Sequence, residues 1–273
     1  MRKILINILF TFSFLYSQTV SQVELKSIEF TGNNSISSSE LSSVILSKES
    51  PGKFSQFLHS FSSFGNPPNY FDSLLIPLDL QAIQSLYITR GFFKVKVGYS
   101  YNFDEKGAYL KYIINESTPV KFRSFVLTGL ENKIPGEFLD VINDYVTVDT
   151  GLVYSDALLE DRKNYTLSYL RDHGFMLATH DQPTLIIDTL MNRADVRINF
   201  NPGKRYIISD ILTVRTGVGM DYVEDQLLKD IVGIKPGMYY SHYDIQRGQV
   251  RLYRTELFNS AIINAIISDT IGN

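Results

Sequence analysis

The sequence contains no cysteine and no tryptophan, and only nine prolines in 273 residues. Without cysteine there are no disulfides and no thiolate metal sites, so stability rests on packing alone. No charge of one sign dominates. The formal net charge is −3, and Lys and Arg are scattered rather than massed, which leaves no footprint for nucleic acid. A peptide or protein partner is easier to accommodate. The four histidines, His59, His173, His180 and His242, show no metal-ligand spacing, so neither metal nor cofactor is expected. Long apolar runs are also missing, with one exception. Ile4 to Tyr16 follows Arg2 and Lys3 and is too short to span a bilayer comfortably, so residues 1–17 read as a Sec-type signal peptide cleaved after Ser17. The mature chain is therefore expected outside the cytoplasm.

What the chain does contain is a repeat. Val23–Gly32 (VELKSIEFTG), Val120–Gly129 (VKFRSFVLTG) and Ile207–Gly217 (IISDILTVRTG) are each a β-branched and aromatic run closed by glycine. Each is followed by apolar residues at helical spacing, around Leu41 and Ile45, Phe138 and Ile142, and Leu228 and Ile231. Asp221, three residues before Glu224, is placed to form a capping box. A second helix then ends in LYITRGFF (86–93), YLRDHGFM (169–176) or LYRTELFN (252–259), with Leu257 where the other two have glycine. Asp79 is expected to cap the first of these helices, and Gly91 and Gly174 to take positive φ at the ends of theirs.

Alternation from Phe93 to Tyr101, a turn at Asp104–Gly107 and a return to Ile114 predict a hairpin, as do Phe175 to Asp188 and Val196 to Phe200. The order strand, helix, helix, strand, strand defines an α+β fold. It consists of tandem βααββ modules, each a small mixed three-stranded sheet covered on one side by two helices. The expected boundaries are 18–118, 119–203 and 204–273. The third module stops at Asn273 before its last strand, which is expected either beyond that residue or from a partner. Fast hydrogen exchange is expected after about Ser241. The first module carries a long insertion, 47–77, in which Phe54, Phe57, Leu58, Phe61 and Phe64 recur at helical spacing. They form a candidate surface for a partner, or pack on their own module.

With these motifs in place, the units resemble POTRA domains, the polypeptide-transport-associated modules that precede the β-barrel of outer-membrane assembly proteins. The resemblance rests on FTGNN (30–34), LYITRGFF, YLRDHGF, TGLVYS (150–155) and VGIKPGMYYS (232–241). It is similar to the arm of the Omp85 superfamily, of BamA and TamA type. The resemblance implies a periplasmic location, with attachment to the outer membrane if a C-terminal barrel follows. It implies unfolded or extended outer-membrane polypeptides as partners, and accessory lipoproteins beside them. The long insertion, Leu257 and the lack of a barrel in these residues depart from that pattern.

No catalytic constellation is visible. Asp172, His173 and Ser168 cannot orient one another as a triad, and the glycines at 217 and 219 lack a phosphate-loop lysine. The candidate sites are therefore peptide-binding sheet edges, at Phe93, Lys94, Val95, Lys96, Val97 and Tyr99, and at Phe175, Leu177 and Thr179. A scaffold for barrel assembly or translocation is the leading expectation. A dedicated secretion arm for one substrate, or a spacer that binds accessory proteins, is the alternative.

Overall fold

A computed structural model describes residues 23–61, 65–217 and 223–267. The expected signal peptide, Phe64 and Asp221 lie outside the described residues. The chain forms two compact units, one of residues up to Gln84 with Lys96–Asn115, the other of Ser85–Val95 with Glu116 onward. Among the described residues no helix is long and apolar enough to cross a membrane.

The first module runs β1 (Leu25–Thr31), α1 (Ser38–Val44), α2 (Lys53–Phe61), α3 (Ile76–Thr89), β2 (Lys96–Asp104) and β3 (Gly107–Asn115). The second runs β4 (Lys121–Thr128), α4 (Gly136–Val146), α5 (Asp156–Asp172), β5 (Thr179–His180), β6 (Thr184–Asp188) and β7 (Arg193–Asn201). The third contributes α6 (Asp225–Val232) and α7 (His242–Tyr253). These are tandem POTRA-like βααββ modules.

The last strand of each complete module takes the middle of the sheet. β3 pairs parallel with β1 and antiparallel with β2, and β7 pairs parallel with β4 and antiparallel with β5 and β6. Period-two alternation explains the choice. Ala108, Leu110, Tyr112 and Ile114 on β3, and Ala194, Val196, Ile198 and Phe200 on β7, are all buried on one face. Against β7 pack Phe122, Ile142, Leu159 and Leu170, one continuous core.

The second strand of module two departs from the expected single run. Register passes from His180↔Phe200 to Thr184↔Arg197, so residues 181–183, with Pro183, interrupt the ladder as a bulge. Proline cannot donate to a ladder, which accounts for the break.

A local device recurs three times. Phe71, Tyr154 and Tyr240 each donate their N–H to the carbonyl just before the first-strand position, on Val23, Val120 and Tyr206, at 2.8, 2.9 and 3.0 Å. In modules two and three the next residue caps the helix that follows, while in module one Asp72 opens the turn that leads into α3. Ser155 and Ser241 accept from Leu158 N and Asp244 N as N-caps, and Asp72 accepts from Leu74 N at 2.9 Å. Asp79, expected as a cap, lies inside the first turn of α3, and its carboxylate reaches elsewhere. α6 starts instead behind Glu224, which makes no side-chain cap bond.

In module three, residues 207–217 and 258–267 join no ladder beyond one bridge, Ile207↔Tyr239. Its helices bury Leu228, Val232 and Tyr240, while Leu212, Val214 and Ile266 are exposed. Helix α7 leaves through Glu256 at φ 56°, one position earlier than the glycines of the other two modules, since Leu257 resists that conformation.

Candidate functional site

The two expected edges differ once folded. β2 is a nine-residue edge strand in unbroken register, from Lys96↔Asn115 to Asp104↔Gly107. Its only charges are at its ends, and Val97–Phe103 offers an uncharged row of peptide groups on the free side. Tyr99, Tyr101 and Phe103 stand opposite Tyr112, Leu110 and Ala108, on the face that carries the core. They line its rim, each about half exposed. Tyr99 stacks on Tyr101 at 6.3 Å between centroids, Tyr101 meets Phe103 at 5.5 Å, and Phe71 closes on Tyr101 and Phe103 at 4.9 and 5.3 Å. A strand added beyond β2 would lay alternate side chains against this aromatic lip. The alternation expected as far as Tyr101, with candidate edge residues to Tyr99, continues through Phe103. Phe71, distant in sequence, had no such signal.

Three of the expected edge residues lie elsewhere. Phe93, Lys94 and Val95 precede the strand in a turn. There Phe93 packs on Tyr154 at 5.4 Å and Lys94 donates to the Thr189 carbonyl and to Asn192 Oδ1. Lys94 is thus engaged by a loop and does not guard an edge. Lys96, Val97 and Tyr99 are on the edge as expected.

The second edge is also corrected. Phe175 is buried, Leu177 precedes any strand, and Thr179 belongs to a two-residue strand ahead of the bulge. On β6 the core-side Leu185 and Ile187 already pack against the module's own interior. Bulges and proline are established ways of blunting an edge, so of the two expected edges β2 is the one left open.

On the opposite face of module two, Arg123 donates from Nε to Asp195 Oδ1 at 3.0 Å and from Nη2 to Oδ2. Ser124 Oγ donates to Oδ1 at 2.6 Å, and Asp188 lies 3.8 Å from Arg123 Nη1. The Arg123 bonds, then Ser124, hold Asp195 at about 2, below the usual carboxylate range. The lowered value means this contact stabilises the folded sheet at neutral pH and is lost as pH falls from about 4 toward 2. Arg123→Ala should lower the urea midpoint of module two at pH 7, and the gap from the parent should close on acidification. A gap that stays constant down to pH 2 would show that Arg123 acts through packing.

The insertion carries helix α2, whose Phe54 and Phe57 face outward at 75% and 59% exposure, while Leu58 is half-buried. Among the described residues no cluster of three His, Asp or Glu side chains is placed to hold a metal. His173 Nδ1 lies 2.7 Å from the Tyr169 carbonyl, and Asp172 accepts from Tyr243 N at 2.7 Å. Both groups are tied to helix ends.

Small sheets covered on one side by two helices and repeated in tandem define a recurrent class of fold, and comparison with known proteins bears on its identity. Residues 23–117 match the POTRA family model, described as a surface antigen variable number repeat. A crystal structure of Haemophilus influenzae BamA POTRA3-5 is similar over 92% of each chain, with a TM-score of 0.51 and 19% identity. POTRA1-3 of the periplasmic domain of Omp85 from Anabaena covers 88% of this chain and 87% of its own, with a TM-score of 0.31 and 16% identity. The N-terminal domain of Omp85 from Thermosynechococcus elongatus covers 88% of each, with a TM-score of 0.31 and 15% identity. No curated protein matches the sequence. The fold is POTRA-like, as the match over residues 23–117 and the likeness to the BamA POTRA3-5 structure show.

Proposed function

We propose that this protein is a periplasmic polypeptide-binding scaffold that assists assembly or translocation of outer-membrane β-barrel proteins. It takes extended segments onto the free edge of β2 by strand addition. The observation that carries this reading is the unbroken β2 edge with its aromatic lip of Phe71, Tyr99, Tyr101 and Phe103. Backbone bonding places little demand on sequence, and the lip favours apolar residues at every second position. Unfolded barrel strands have that alternation. The POTRA match over the first module, which contains β2, supports the same class of role.

A photo-crosslinking residue at Tyr101 should capture unfolded barrel segments of unrelated sequence, whereas one at Ile186 on β6 should capture few. Tyr99→Lys, a charge pointing inward at the edge, should weaken capture at Tyr101 severalfold without unfolding the module. Equal capture at both edges would refute the assignment to β2. Capture of a single ligand would favour a dedicated transporter arm.

A further inference from the structure

Between Glu49 and Asp72 the sequence has no acidic residue, though it includes Phe54, Phe57, Phe61, Phe64, Tyr70 and Phe71. Within that stretch the nine-residue helix α2 projects Phe54 and Phe57 into solvent. Beside α2 lies a shallow depression lined by Lys53, Gln56, Lys106, Lys26 and Glu24. Glu24 is the sole acid of that lining and is held by Lys26 and by Gln56 Nε2. Asp104, in the turn before Lys106, accepts from the backbone N–H groups of Lys106 and Gly107. Neither Lys53 nor Lys106 forms an ion pair among the described residues. Two outward phenylalanines thus share α2 with Lys53, which lines the same depression as Lys106, and the sole carboxylate of that lining is engaged.

We propose that α2 is a lipid-surface contact. Phe54 and Phe57 enter the acyl boundary while Lys53 and Lys106 meet headgroup phosphates. The chemistry fits an interfacial helix, whose apolar face lies in the bilayer surface and whose cations attract anionic lipid. The shape favours lipid over peptide. The two rings are exposed on a helix and not along a strand edge, and a deformable bilayer accepts such a face, whereas an extended peptide pairs with an unpaired ladder. This contact would hold the first module at a membrane surface and leave β2 to its own ligand.

The lack of tryptophan supplies the test. Phe57→Trp creates a single indole in the full chain, and Tyr99→Trp on β2 serves as its control. Probes are vesicles of phosphatidylethanolamine with phosphatidylglycerol, and of phosphatidylcholine alone, some with brominated acyl chains. Emission from the Phe57→Trp variant should shift to the blue and be quenched by brominated lipid, more strongly with the anionic vesicles, while the Tyr99→Trp variant stays unquenched. In the Phe57→Trp background, Phe54→Ser, or Lys53→Glu with Lys106→Glu, should weaken this response about tenfold. The readout is local because residues 4–16 could bring the whole chain to a vesicle. The proposal is overturned if the indole on α2 does not respond to vesicles, or if the indoles on α2 and β2 are quenched alike. It is equally overturned if the substitutions change nothing, or if the indole on α2 responds only to an unfolded peptide or to raised protein concentration.

Discussion

Asp79→Ala is expected to destabilise the first module by about 4 kcal/mol, since each buried donor stripped of its acceptor costs about 1–3 kcal/mol. Asp79 is fully buried in the first turn of α3. Its Oδ1 accepts from Leu46 N at 2.6 Å, both oxygens accept from Ser47 N at 3.4 and 3.3 Å, and Oδ2 accepts from Tyr112 Oη at 2.6 Å. One carboxylate thus ties the segment after α1 to α3 and to the central strand. Burial, and then the bond to Asp79, push the Tyr112 phenol up, so it remains a donor across the accessible pH range. Alanine takes the carboxylate acceptor from the Tyr112 hydroxyl and the Ser47 N–H, both buried. Tyr112→Phe should cost less than Asp79→Ala, because the carboxylate keeps its two backbone donors. Amide exchange along β3 and at Ser47, read residue by residue, measures the loss within this module alone. A change below about 1 kcal/mol would mean that water replaces the carboxylate.

The repeat and its sheet order were legible because they depend on local pattern. Alternating apolar residues in Ala108–Ile114 and Val196–Phe200 mark strands buried on one face, and glycines at constant spacing mark the ends of helices. What was not legible depends on partners distant in sequence. Phe93 to Val95 continues the alternation of β2 without a break, yet these residues turn because Phe93 is drawn onto Tyr154 and Lys94 onto the 189–192 loop. Asp79 has the residue type of a cap, but it lies inside the first turn of α3 and its carboxylate is drawn to Leu46, Ser47 and Tyr112. The place of Phe71 inside the long insertion, 47–77, concealed its kinship with Tyr154 and Tyr240. Pro183 was a visible warning that the second edge strand is broken. The openness of β2 follows from comparing two folded edges. The outward aim of Phe54 and Phe57 could not be read from helical spacing, which gives a stripe without saying what covers it.

The two helix-ending glycines look interchangeable in sequence, and both have positive φ, +91° at Gly91 and +103° at Gly174. They are nonetheless expected to respond differently to alanine. Each sits at a joint with the same wiring: Val120 N donates to Gly91 O at 2.8 Å, and Tyr206 N donates to Gly174 O at 2.8 Å. A β-carbon on residue 91 would stand 2.6 Å from the Tyr154 carbonyl oxygen. That carbonyl belongs to the residue whose own N–H is fixed to Val120, so neither side of the contact can yield without opening the joint. At residue 174 the nearest atom is Arg205 Cγ at 2.7 Å, with the Tyr206 carbonyl at 3.4 Å. The Arg205 side chain can shift, although it donates to the His173 carbonyl at 2.9 Å and lies 3.5 Å over the Tyr239 ring. Gly91→Ala should therefore cost about 3 kcal/mol, combining left-handed strain with a backbone clash. Gly174→Ala should cost about 1–2 kcal/mol, strain plus a weakened Arg205 contact. Arg205→Ala should narrow the second penalty by vacating the space, and should leave the first unchanged. Urea unfolding of each alanine variant with and without Arg205→Ala, with amide exchange at Val120 and Tyr206 to place the loss at the correct joint, decides the point. Equal penalties at 91 and 174 would show that φ alone sets the cost and that the neighbouring backbone gives way at both.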